Sequence, residues 1–304
     1  MARRGILFLG SKAAGLRICK RVGEMPAASV LAVVCPDEKG DPRSVEPEFR
    51  ALAAEAAVPF HISTNTAQTV ELIERYEPSV VLVHGWYQII PVDRFPSTQF
   101  FGFHYSPLPR YRGNAPLVWQ IIAGEQQIGV SLFEMVAEMD AGRLFEQAQA
   151  PLAQDETIAD ALAKADALAE SMVDRFVTAL QCGRLALRDQ PDAEPSYCGL
   201  RVPEDGAVDW SWSGLRIHDF VRAQSRPYPG AFTVLADGRR MTIWRTEPEP
   251  RFFMGAPGAV AEIGLSHVVV TAGTGAVRLV EVELERGQSV AASSVLRSLR
   301  LRLG

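Results

Sequence analysis

Apolar and polar positions follow two different rhythms along the 304 residues, and the change near residue 183 divides the chain. Before it, short solid apolar runs alternate with segments of helical period. Gly5 to Gly10, Ser29 to Cys35, Pro59 to Ile62, Ser79 to Val83 and Gln99 to Phe103 read as buried strands. Ser11 to Glu24, Glu48 to Ala57, Thr66 to Tyr76 and Ala115 to Ala123 read as the helices around them. Two longer strands follow, Gly129 to Val136 and Leu144 to Ala150, joined through the turn Glu138 to Gly142. A long Ala-rich helix over Asp155 to Cys182 comes next, with Leu162, Ala165, Leu168, Met172, Phe176 and Leu180 at helical spacing and Asp155 as its N-cap. Strands alternating with helices predict an α/β domain whose mostly parallel sheet is covered on both faces.

The second rhythm begins after a stretch rich in Pro, Asp and Glu, Gln190 to Gly206, which reads as a linker. Beyond it a short helix is expected over Leu215 to Ala223. Short strands are expected at Ala231 to Leu235, Met241 to Thr246, Gly258 to Ile263, His267 to Thr271 and Val277 to Leu284, and a helix at Ser293 to Leu301. Five short strands with turns between them predict a small antiparallel barrel. The expected division is 1–183 for the α/β domain, 184–206 for the linker and 207–304 for the barrel.

Composition changes the picture mainly by exclusion. The chain is 47% hydrophobic and 22% charged, as in ordinary globular proteins, and no apolar run is long enough to span a membrane. The apolar run Ile6 to Leu9 is too short for a signal peptide, so a cytoplasmic protein is expected. Cys19, Cys35, Cys182 and Cys198 are scattered without metal-ligand spacing, and no metal is expected. Net charge is −5; from Pro191 onward 13 arginines, no lysine and 13 acidic residues balance, so the deficit lies before that point. No basic face advertises nucleic-acid binding.

Candidate chemistry gathers at Gly102 to Gly113, reading Gly-Phe-His-Tyr-Ser-Pro-Leu-Pro-Arg-Tyr-Arg-Gly. His104 stands at the carboxyl end of a strand, where open α/β sheets place their chemistry, before a loop stiffened by Pro107 and Pro109. Asp140, in the turn Met139-Asp140-Ala141-Gly142, is expected to meet His104 if the two loops share a sheet edge, preparing a general base. The turn Gly10 to Gly15 lacks dinucleotide-fingerprint spacing and reads as lining a ligand. His84, Trp86 and Tyr87 form an aromatic cluster readable as core or as a ligand wall.

These residues resemble the formyltransferases that use 10-formyltetrahydrofolate, a family that includes methionyl-tRNA formyltransferase and the sugar-nucleotide N-formyltransferases. The resemblance rests on His104 to Gly113, Ala115-Pro116, Trp119, Gly124-Glu125, Gly129-Val130-Ser131 and Met139 to Gly142, with Pro203 to Trp210 and Arg222 to Phe232 beyond. It implies a Rossmann-like domain followed by an OB-like barrel, with His104 and Asp140 as the catalytic pair. It also implies a folate site formed by Val83, Gly85, Trp86, Tyr87, Leu108, Pro109 and Met139. Tyr105, which replaces a smaller residue common in the family, Ser106 and Arg112 are candidate acceptor contacts. Family members usually carry Asn two residues before the histidine to hold the formyl oxygen; here Gly102 stands there. An oxyanion donor is worth about 3 kcal/mol in rate.

The implied activity is N-formylation of a small amine or hydroxylamine, such as an amino sugar nucleotide or an amino-acid derivative. Two alternatives share the same residues: a formyltetrahydrofolate hydrolase, and a homologue that binds folate or an amine without turnover, for which Gly102 is the argument. The lysine-free, neutral second part disfavours methionyl-tRNA as acceptor. The barrel offers a face for a homodimer.

Overall fold

The computed structural model describes residues 5–25, 28–285 and 287–304. In chain order the elements of the α/β part are β1 (Gly5–Gly10), α1 (Lys12–Glu24), β2 (Ser29–Pro36), α2 (Glu46–Glu55), β3 (Phe60–Ser63), α3 (Thr66–Tyr76), β4 (Val80–His84) and β5 (Gln99–His104). The short β6 (Arg112–Gly113), α4 (Pro116–Ile122), β7 (Gln127–Glu134), β8 (Leu144–Pro151), α5 (Ile158–Gln181) and β9 (Tyr197–Cys198) follow. Seven strands form one sheet in the order β3-β2-β1-β4-β5-β7-β8. β1 to β5 run parallel, and β7 joins antiparallel to β5.

The solid apolar runs form this sheet because both its faces are buried: Leu7, Phe8, Val80, Val81, Leu82 and Phe101 are fully inaccessible. The order reverses between β1 and β4, and the strand ends there, Gly10-Ser11 and His84-Gly85, border the crevice at the carboxyl edge. α5 starts at Ile158 rather than at Asp155. Thr157 takes the capping place, its N–H and hydroxyl both donating to Asp160 Oδ2 at 2.8 Å, so the local bond decides the start.

The later elements are α6 (Gly214–Arg222), β10 (Ala231–Val234), β11 (Arg240–Glu249), β12 (Val260–Ile263), β13 (Val268–Thr271), β14 (Ala276–Leu284), β15 (Ser289–Ala291) and α7 (Ala292–Val295). The strands form an antiparallel sheet, β10-β11-β14-β13-β12, with β15 added on β14. One face surrounds Ile217, Phe220 and Val221 of α6 with Met241, Ile243, Val268, Val270, Val277 and Leu279.

The helix expected over Ser293 to Leu301 is a single turn instead. Val260 N–H donates to Leu301 O and Leu303 N–H to Gly258 O, so the chain end runs extended beside β12 and spends its backbone groups there. The compact units are also interleaved rather than separated at 183. Asn114–Ile128 and Pro151–Ala163 group with Cys198–Gly304, because Leu117, Val118 and Ile121 of α4 are buried and the helix packs against α6.

Candidate active site

Strand alternation sorts the ends of β4 and β5 onto two faces. Phe100, Gly102 and His104 share one face of β5, and Phe101 and Phe103 the other. His104 is 8% exposed, with its ring edge-on to Phe133 at 6.3 Å between centroids. Its Nε2 lies 2.7 Å from Tyr111 O. A carbonyl only accepts, so Nε2 carries the hydrogen, and in the neutral ring Nδ1 carries the lone pair.

Asp140 Oδ2 stands 3.7 Å from that Nδ1, beyond hydrogen-bond distance, and accepts the Gly113 N–H at 2.7 Å. The two loops do meet. Orientation of the imidazole, however, comes from Tyr111 O rather than from Asp140. Tyr111 sits at φ 61°, in the left-handed region that costs an aromatic residue on the order of 1 kcal/mol. Ser196 Oγ accepts its N–H at 2.8 Å and holds it in that conformation. The Asp140 turn comes close to β7 through Gly142, where a Cβ would fall 1.7 Å from Glu134 O.

The signature loop is fastened from below. Ser131 Oγ donates to Ser106 O at 2.7 Å, and Gln147 Nε2 donates to Ser131 Oγ at 3.0 Å and to Leu108 O at 2.9 Å. Gln190 Nε2 donates to Asp140 O at 2.6 Å and Gly142 O at 2.9 Å, while its Oε1 accepts from Arg112 Nη2 at 2.8 Å. Gln147 and Gln190 escape sequence reading, since nothing in their neighbourhoods marks a glutamine as a brace.

The three expected acceptor contacts have other partners in this geometry. Ser106 is fully buried, its hydroxyl donating to Arg110 O at 2.7 Å. Arg112 is 7% exposed; its Nη2 donates to Gln190 and its Nη1, at 3.4 Å, to Glu138, while its Nε is buried without a partner. Tyr105, next after His104, turns to the opposite face, where its hydroxyl meets His84 and Asp166.

Of the expected folate residues, Leu108 is 1% exposed and packs with Phe133 and Leu144. Pro109 and Val83 are buried too, so all three shape the site from beneath it. Gly85, Trp86 and Tyr87 lie along the crevice edge. Gly85 is at φ +64°, and a Cβ there would come 2.9 Å from Ser11 Oγ. Trp86 packs on the core while its Nε1 is buried without a partner, a donor suited to a heterocycle's acceptor atom. Tyr87 and Met139 are exposed, and Lys12 Nζ lies 5.6 Å from the Tyr87 ring centroid. Burial works against the Lys12 ammonium, but hydrogen bonds to Asp41 and Glu38 raise its pKa overall. The place of the missing Asn is occupied: a Cβ on Gly102 would lie 3.1 Å from Met135 Sδ and 3.5 Å from Phe133 Cε1. Among the described residues no group of His, Cys, Asp and Glu could hold a metal ion, and no helix is long and apolar enough to cross a membrane.

Residues 11–177 match the family described as formyl transferase, and residues 201–300 match its C-terminal domain. The chain belongs to the formyl transferase family. It is accordingly a folate-dependent one-carbon transferase with 10-formyltetrahydrofolate as co-substrate. The methionyl-tRNA formyltransferase of Geobacter sulfurreducens is 29% identical over 310 residues, covering 100% of this chain and 96% of that protein.

Among solved structures, the N-formyltransferase of Helicobacter canadensis, in complex with folinic acid and dTDP-3-aminofucose, has a TM-score of 0.68 at 15% identity, covering 92% of this chain and 99% of that one. HypX of Aquifex aeolicus gives a TM-score of 0.67 at 20% identity over 97% of this formyltransferase. The chain spans about half the length of HypX, 47%. These two likenesses establish the fold: a Rossmann-like domain followed by an antiparallel one.

Proposed function

We propose that this formyltransferase passes the formyl group of 10-formyltetrahydrofolate to the primary amine or hydroxylamine of a small acceptor, with His104 as base and Asp140 as its partner. An amino sugar carried on a nucleotide, or an amino-acid derivative, fits. The carrying observation is the commitment of His104 Nε2 to Tyr111 O, which leaves the Nδ1 lone pair beside Asp140. The acceptor nitrogen attacks the formyl carbon, and Nδ1 takes the proton that the nitrogen sheds. Asp140 faces the imidazolium so formed. The same proton is then delivered to N10 as the C–N10 bond breaks, releasing the formamide and tetrahydrofolate. Side-chain help for the tetrahedral oxygen must come from somewhere other than position 102, where Met135 fills the space.

A small acceptor is favoured over tRNA by the charge of the second unit, although the sequence relative from Geobacter is named for tRNA. Several of its arginines are matched by carboxylates: Arg226 with Glu281, Arg239 with Asp237, Arg251 with Glu249 and Glu262, Arg278 with Glu247 and Glu249. Phosphate binding at these arginines would have to break their pairs.

The test is formyl transfer from 10-formyltetrahydrofolate to hydroxylamine, to dTDP-linked amino sugars, to N-hydroxylated and diamino acids and to methionyl-tRNA. Turnover with a small amine, lost in His104→Ala, is expected. Undiminished turnover in His104→Ala sinks the assignment of the base, and preference for methionyl-tRNA sinks the acceptor class.

A further inference from the structure

On the face of the sheet opposite His104, four charged or titratable side chains that take no part in the proposed chemistry form one chain of hydrogen bonds. Tyr105 hydroxyl donates to Asp166 Oδ1 of α5 at 2.8 Å. With its single hydrogen spent, it accepts from His84 Nε2 at 2.9 Å, and the two rings meet edge-on at 5.6 Å. Arg17 of α1 donates to Asp166 Oδ2 at 2.9 Å and also pairs with Glu170. Burial pushes His84 down to about 4 and Tyr105 well above its ordinary pKa. At neutral pH the order of donors is therefore fixed: neutral imidazole to phenol, phenol to carboxylate, guanidinium to carboxylate.

The backbone shows why this matters. The parallel ladder between β4 and β5 ends at Val83 opposite Gly102, two residues short of His104. The ladder to β7 ends at His104 opposite Ser131. Past those points, among the described residues, no strand pairing sets the distance between the His104 strand end and the Gly85 to Tyr87 edge that follows β4. The bond from His84 to Tyr105 spans that gap, and Asp166 and Arg17 anchor it to α5 and α1.

We propose that Tyr105 is a positioning residue: its hydroxyl, clamped by His84 and Asp166, fixes the His104 imidazole relative to the folate edge of the site. Resting on the site reading above, this deepens it: a residue expected to touch the acceptor acts from behind the sheet instead. A bracing contact of this kind keeps the reacting groups within the tolerance that transfer demands.

The test compares wild type with Tyr105→Phe, His84→Gln, His84→Phe and His104→Ala, using 10-formyltetrahydrofolate with hydroxylamine and reading formohydroxamate. Tyr105→Phe keeps the ring and removes the clamp; it is expected to lower kcat at least tenfold while KM for the donor and affinity for 5-formyltetrahydrofolate stay within twofold. His84→Gln, which can still donate to the phenol, is expected to keep most of the rate, and His84→Phe to lose it as Tyr105→Phe does.

A second readout needs no acceptor: the ring ¹⁵N and ¹H signals of His104 are expected to shift and broaden in Tyr105→Phe and to stay in place in His84→Gln. A drop in melting temperature with unchanged kcat and unchanged His104 signals would overturn the proposal and leave a merely structural tyrosine. Full activity in His104→Ala would instead overturn the site reading beneath it, whatever Tyr105 does. If Tyr105→Phe fails to fold, the contrast between His84→Gln and His84→Phe decides the same question.

Discussion

The vacancy at position 102 and the methionine that fills it make a quantitative prediction. A Cβ on Gly102 would lie 3.1 Å from Met135 Sδ and 3.3 Å from its Cγ, tighter than ordinary contact, with Phe133 Cε1 close behind at 3.5 Å. Gly102 is not at positive φ, so its backbone accepts another residue and only the side chains object. Gly102→Asn alone overpacks this spot and is expected to destabilise by about 2 kcal/mol. Met135→Ala alone removes a half-buried thioether and leaves a gap, at a cost of about 2 kcal/mol, the low end for such a truncation because the residue is only partly buried. In the double variant the amide occupies the gap. The cost is then expected at about 1 to 2 kcal/mol rather than the sum of about 4, a favourable coupling of at least about 2 kcal/mol.

Urea denaturation of the four proteins measures the coupling without needing any acceptor. Additive costs, within about 0.5 kcal/mol, would show that Met135 does not fill the space beside Gly102 and would refute the reasoning. Transfer kinetics add a second arm: if the restored amide reaches the formyl oxygen, the double variant should gain about tenfold or more in kcat over Met135→Ala.

Three further outcomes follow from the same structure. His84 is held uncharged with a pKa near 4, below the ordinary 6.5, so the unfolded chain binds its proton first as pH falls. Its contribution is complete above pH 6.5 and declines between 6.5 and 4, by about 3 kcal/mol; urea unfolding at pH 7, 5.5 and 4.5 should show a stability loss for wild type that His84→Gln reduces. Asp140→Asn keeps an oxygen for the Gly113 N–H and tolerates the φ of 49°, removing only the charge beside Nδ1; turnover with hydroxylamine should fall about a hundredfold with 5-formyltetrahydrofolate affinity unchanged. Arg112→Ala should lower stability by about 2 to 3 kcal/mol, since its buried guanidinium bonds Gln190 and the Asp140 turn loses its support; unchanged urea midpoints with a raised acceptor KM would restore the acceptor role that its burial argues against.

The fold was legible wherever one rhythm of apolar residues dominated. Val80 to Val83 and Phe100 to Phe103 could only be strands buried on both faces, and the helix after Thr157 followed from its apolar stripe. What failed was decided by long-range pairing. Ser293 to Leu301 carries apolar residues at helical spacing, yet the backbone there is claimed by Gly258 and Val260, whose unmet groups are invisible from the sequence. The interleaved units have the same cause: α4 belongs by sequence to the signature and by burial to α6.

In the site, residue types were legible and directions were not. His104 and Asp140 come together, but Tyr105, Ser106 and Arg112 share the loop with His104 and none presents its side chain to solvent beside it. A strand end changes face with every residue, so the neighbour of a catalytic residue is the position most certain to point away from it. Two residues off, at Gly102, the face is the same again, and there the side chain is missing. The rear of this strand end therefore carries the hydrogen-bonded anchoring, through Tyr105, and the front carries a histidine with a single fixed hydrogen bond, to Tyr111 O, and an apolar neighbour in place of an amide. An active site so divided depends for its rate on how firmly the rear holds the front, because no donor at 102 corrects the placement of the formyl oxygen.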